Sequence, residues 1–116
     1  MTYTDSLEPR WQQLLYRLKP RLGRKPNLQS ILFLIGVQEL GSIRMDFSKE
    51  EKQDLMHVAV CSLLEPLGYF IFEQYDSEGW PHYRPGAVAQ PDTLEQQEIM
   101  LKQQIILYFE EIFESL

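Results

Sequence analysis

Residues 28–40 read LQSILFLIGVQEL. On a helix, Leu28, Ile31, Leu32, Phe33, Leu34, Ile35 and Val37 point almost all the way round the axis. A helix that is apolar on every side must be buried. The unbroken run 31–37 is far shorter than the roughly 20 residues that cross a bilayer. The burial must therefore come from the protein itself, which predicts a central helix over 28–40 with other helices packed on it. Asn27, after Pro26, is its candidate cap and Gly41 its stop. Gly36, inside it, weakens the helix but lets another element come close.

The cover for this helix is sought in the remaining apolar stripes. Trp11, Leu14, Leu15 and Leu18 recur at helical spacing and predict a helix over about 6–19. Ser6 caps it, Pro9 falls in its first turn, and Pro20 and Gly23 end it. Ser48-Lys49-Glu50-Glu51 has the form of a capping box and opens a helix over about 49–65, closed by Pro66 and Gly68. Its core face is Leu55, Met56, Ala59, Val60 and Leu63. Thr93 and Gln96 begin a last helix over about 93–114. Leu94, Leu101, Ile105, Phe109, Ile112, Phe113 and Leu116 form its main stripe. Between the last two helices, Tyr69 to Tyr75 is aromatic and β-branched, and Asp76-Ser77-Glu78-Gly79 signals a turn. This predicts a β-hairpin over about 69–83 whose returning strand, carrying Pro81, is short and at an edge. The expected fold is one mainly α domain over 1–116: four helices with a two-stranded antiparallel hairpin between the third and fourth. The long last helix is expected to lie along the central one.

Charge restricts the partners. The 116 residues carry a net −6, unevenly spread. Residues 1–26 hold six Lys/Arg (Arg10, Arg17, Lys19, Arg21, Arg24, Lys25) against Asp5 and Glu8, a net +4. The other 90 hold five basic and fifteen acidic residues, a net −10. The basic segment 17–26 contains no aromatic residue to stack on bases, and an acidic body repels a phosphate backbone, so nucleic acid is not the expected partner. The segment is expected instead to dock on an acidic surface, of its own chain or of a second copy. The N-terminus lacks a basic stretch followed by an apolar one, so no signal peptide is expected. One cysteine, Cys61, offers no disulfide framework. These features point to the cytoplasm and away from a membrane.

Two places hold chemistry-bearing side chains. Glu50, Asp54, His57, Cys61 and Glu65 fall on one face of the third helix, opposite its core stripe. Val58 and Cys61 prefer burial, so part of that polar side needs a cover. A metal would use His57 with the carboxylates and His82. Only one helix offers such a row, however, and no Glu-x-x-His pair occurs, so neither metal nor cofactor is expected. Cys61 lies mid-helix among acids, which favours the thiol over the reactive thiolate. In DSEGWPHYRPG, residues 76–86, Trp80, His82 and Arg84 alternate and share one face of a strand. Trp and Arg dominate interface energetics, which makes this row a candidate contact surface. The other reading has Trp80 capping the core while His82 and Arg84 meet Glu73, Glu78 or water.

Two functions follow. The first is a non-enzymatic interaction protein that self-associates as a homodimer, with Trp80 and the out-of-place Met100 and Leu107 of the last helix at the interface. The second is a ligand-binding protein or small enzyme with a site between the third helix and the hairpin, built from Asp54, His57, Cys61, Trp80, His82, Tyr83 and Arg84. The two are told apart by whether those residues meet at one cleft.

Overall fold

A computed structural model describes residues 3–41, 44 and 46–114. Among these residues the order is α1 (Tyr3–Leu22), α2 (Leu28–Leu40), α3 (Lys49–Leu64), a 3₁₀ turn (Glu65–Leu67), β1 (Phe70–Tyr75), β2 (Pro81–Pro85) and α4 (Leu94–Glu114). The fold is mainly α, with an antiparallel hairpin between the third and fourth helices. The chain divides into two units: Met1–Leu28 with Pro91–Leu116, and Gln29–Gln90. No helix among the described residues is long and apolar enough to cross a membrane.

The first unit pairs α1 with α4. The buried stripe of α1 is Leu7, Trp11, Leu14, Leu15 and Leu18. It begins before Pro9 and runs almost to Pro20, and both prolines lie inside the helix rather than at its ends. Each proline removes one backbone donor, yet α1 continues to Leu22, where the Gly23 N–H closes it on the Lys19 carbonyl at 2.9 Å. A continuous buried face outweighs two missing hydrogen bonds, which is why the expected boundaries fall short at both ends. Across to α4, Arg10 pairs with Glu110 at 3.1 Å and Lys102 with Glu8 at 3.3 Å. The Arg17 guanidinium lies 3.6 Å from the centre of the Phe113 ring. On α4 the buried residues are Leu101, Ile105 and Ile106. Leu94 was expected in the same stripe but is 85% exposed. Periodicity says which residues share a face; it does not say how far along the helix a cover extends. Leu116 lies outside the described residues.

The second unit is built on the crossing of α2 and α3. Ile31, Leu32, Ile35 and Gly36 are the buried residues of α2, while Leu34 is 37% exposed. The all-round apolar helix is therefore covered on one side more than the other. A Cβ placed on Gly36 would strike the Leu55 carbonyl of α3, so at this point the two backbones touch. Leu55, Val58, Ala59, Cys61, Leu63 and Leu64 are buried along α3. The start of α3 follows its sequence closely. Ser48 Oγ accepts the Glu51 N–H at 3.1 Å, and Glu51 Oε1 accepts the Ser48 N–H at 3.0 Å. Glu51 is also gripped by the Arg44 guanidinium at 2.7 and 2.8 Å. Arg44 above all, then Ser48, holds the Glu51 carboxyl down at a pKa of about 2.

The hairpin pairs Phe70 with Pro85, Ile71 with Arg84, Phe72 with Tyr83, Gln74 with His82 and Tyr75 with Pro81. The register slips by one residue between Phe72 and Gln74, leaving Glu73 in a bulge. Two strands alone are marginal in water. Here α3 supports them: the Phe70 ring stands edge-on to His57 at 6.3 Å, and Tyr83 lines one cleft with Val58 and Cys61. Pro81 opens β2 and is buried.

The Gly36–Leu55 contact gives a direct test. Alanine is the better helix former by about 0.8–1 kcal/mol, so an uncrowded Gly36→Ala would stabilise the protein. The crossing requires the opposite: a loss of about 1–3 kcal/mol from overpacking, read from urea denaturation midpoints. A raised midpoint would show that α2 and α3 do not meet there.

Candidate functional site

The candidate site lies within the second unit, in a cleft of about 530 Å³ between α3 and the turn end of the hairpin. One wall is Glu51, Asp54, His57, Val58 and Cys61; the other is Asp76, Glu78, Trp80, Pro81, His82 and Tyr83. Six of the seven residues expected from the sequence therefore meet here. Arg84 does not line the cleft: it is exposed and paired opposite Ile71 in the hairpin. The shared strand face expected for Trp80, His82 and Arg84 does not organise the site, because Trp80 belongs to the turn and only His82 and Arg84 lie in β2. Residues 80–83 line the cleft without alternation, so it is closed by the end of the hairpin and not by one of its faces.

Asp76 holds that end in shape. Its backbone N–H donates to the Trp80 carbonyl at 2.9 Å. Its Oδ1 accepts the Glu78 and Trp80 N–H groups at 2.9 and 3.0 Å. His82 Nε2 lies 2.9 Å from its Oδ2. Gly79, at φ 89°, supplies the left-handed residue the turn needs. The His82 contact first, then the Trp80 N–H, lowers the Asp76 pKa below its usual 3.8. The carboxylate is thus ionised. The eleven residues 76–86 spend their Asp and His on each other, and this contact turns Trp80 and Tyr83 into part of the cleft wall. The Asp76 partner was hidden in the sequence among nearer acids, Glu73 and Glu78.

At the floor, Cys61 is 1% exposed and its Sγ lies 3.5 Å from His57 Nε2. Burial pushes its pKa up to about 11. A protonated, buried thiol beside an imidazole is a packing partner and not a nucleophile. Burial likewise raises the Tyr83 phenol, with Glu39 and Glu65 adding to the effect. The hairpin is the cover that Val58 and Cys61 require. Among the described residues no group of three or more His, Cys, Asp or Glu side chains is placed to hold a metal ion.

The four carboxylates of the cleft divide into two kinds. Glu51 is tied to Arg44 and Asp76 to His82. Asp54 and Glu78, one on each wall, have no ion pair among the described residues and are exposed. With Trp80 and Tyr83 beside them, the cleft combines uncompensated negative charge with aromatic surface. Of the residues marked on α4, Leu107 is 47% exposed and Met100 half-buried.

Two outcomes check this site. Asp76→Ala should speed amide exchange at Glu78 and Trp80 by tenfold or more while leaving α3 protected. By the same linkage, the contribution of Asp76 is fully present above its ordinary pKa and is lost as pH falls through its lowered one. Cys61 in the native protein should resist a thiol reagent near neutral pH and react only at the rate of opening; rapid stoichiometric labelling would contradict the buried thiol. No family model, curated protein or solved structure matches this chain, so its function has to be read from the cleft itself.

Proposed function

We propose that the protein is a non-enzymatic binding module whose cleft between α3 and the hairpin takes a cationic group, an ammonium or a guanidinium. The observation that carries this reading is the pair of unpaired carboxylates, Asp54 and Glu78, on opposite walls beside Trp80 and Tyr83. An aromatic face adds about 0.5–1 kcal/mol to a bound cation at an exposed site and more when water is excluded. The carboxylates set the sign of the ligand, and the open form of the cleft fits weak, reversible capture. The Cys61 thiol, buried and with its pKa raised by that burial, offers the cleft no ready nucleophile. Self-association through Met100 and Leu107 has less behind it, since Met100 is half-buried and leaves Leu107 without an apolar neighbour from that pair. The free thiol suits a reducing compartment, the cytoplasm.

The test is a titration with agmatine, which carries an amine and a guanidinium, followed at the Trp80 indole and the His57 and His82 rings by NMR. Saturable shifts confined to these groups are expected. The double variant Asp54→Asn/Glu78→Gln should weaken binding about tenfold, which is 1.4 kcal/mol. Stronger shifts with an anion such as inorganic phosphate would overturn the assignment.

A further inference from the structure

We infer that the cleft is under proton control: in mild acid its two imidazoles, His57 and His82, take up protons and release the cation held at neutral pH. The inference rests on the cationic reading of the cleft given above.

Histidine is the side chain whose ordinary titration falls between about pH 5 and 8. The chain has two, and both line this cleft, one on each wall. Both are exposed, so protons reach them from solvent without any opening of the fold. The charged groups beside them are Glu51 and Asp54 on the α3 wall and Asp76 and Glu78 on the hairpin wall. Arg44 is paired with Glu51. Cys61 and Tyr83 are the other titratable groups of the lining, and Glu39 and Glu65 act on Tyr83 from outside it. Glu51 is held down at about 2 and Asp76 below its usual 3.8, so both stay ionised through mild acid. Cys61 is pushed up to about 11 and the Tyr83 phenol is raised by burial, so both stay neutral. Protonating the imidazoles therefore adds positive charge to a lining that otherwise keeps its negative groups.

The two imidazoles act differently. His82 Nε2 lies 2.9 Å from Asp76 Oδ2, so its proton strengthens an existing contact and neutralises a carboxylate of the cleft. His57 has no carboxylate within ion-pair distance among the described residues; its Nε2 lies 3.5 Å from Cys61 Sγ and its ring stands edge-on to Phe70. A charge added there is uncompensated and repels a cation in the cleft directly. Protons and cation thus compete for one set of carboxylates. Linkage makes the competition reciprocal: whatever affinity for the cation the protons remove, the bound cation removes from the affinity for protons.

The experiment is isothermal titration of the full chain with agmatine at about pH 7.5 and about pH 5.5, on either side of the ordinary histidine titration. The wild type should bind about tenfold more weakly in acid, as expected for charges added within a few ångströms of the ligand. Midway, heats measured in two buffers of different ionisation enthalpy should show protons released on binding. His57→Gln/His82→Gln should have nearly the same affinity at both pH values, whatever that affinity is; glutamine keeps a side-chain donor for Asp76. Equal wild-type affinity at the two pH values, or binding without proton release, overturns proton control while the cationic reading stands. So does a double variant whose affinity still falls tenfold, which assigns the titration to Asp54 and Glu78. An absence of saturable binding near pH 7.5 overturns the cationic reading, and this inference with it.

Discussion

Two helices that touch backbone to backbone leave no room for a side chain between them, and the second unit is organised around one such contact. The Leu55 carbonyl occupies the space where Gly36 would otherwise carry a Cβ. Around that point Ile31, Ile35, Leu55 and Ala59 are almost wholly buried. Each large aliphatic side chain buried there contributes on the order of 1.5–3 kcal/mol. The close crossing also fixes which way α3 faces. With Leu55 and Ala59 buried, the face bearing Asp54, His57 and Cys61 becomes the one against which the hairpin closes a cleft.

The hairpin has no core of its own and depends on that face. Phe70 meets His57, Tyr83 lines the cleft with Val58 and Cys61, and Phe72 stacks edge-on against Tyr83 across the strands at 5.8 Å. The dependence runs the other way as well. Without the hairpin, Val58 and Cys61 would lie open to water on the polar side of α3. A shared interface of this kind couples the shape of the cleft to the fold. The one internally determined part is the turn, where a single carboxylate accepts two backbone N–H groups and holds one imidazole.

What was legible in the sequence was what local chemistry determines. The span of α2, the Ser48–Glu51 capping box and the position of the hairpin follow from punctuation and short-range hydrogen bonding, and all three are present. The convergence of the third helix and the hairpin was expected only as a possibility, raised by two apolar residues on a polar face. The rest depended on partners that periodicity does not name. The prolines of α1 read as boundaries because their cost is local, whereas the buried stripe that overrides it is long-range. Leu94 read as core because it shares an angle with Leu101, although its cover ends before it. Arg84 read as a site residue because it alternates with His82, but the cleft closes on the turn end of the hairpin and Arg84 lies farther along β2, opposite Ile71. A lone arginine in a connector, such as Arg44, gives no sign in the sequence that it will clamp a capping glutamate.

Four carboxylates in one cleft would repel one another if each were left to itself, and the structure resolves this by giving two of them work in the fold. Glu51 serves the start of α3 and Asp76 the hairpin turn, and both have a pKa lowered by the groups that hold them. They are negative because the fold requires it. Asp54 and Glu78 gain nothing from the fold that explains their charge, and they stand on either side of the aromatic wall. The same contrast divides the basic segment, where Arg17, Arg21 and Lys25 are engaged inside their unit and Arg24 is not. Charges absorbed into packing say little about function. The carboxylates that remain, Asp54 and Glu78, are the physical basis for the proposed reading of the cleft as a site for a cation.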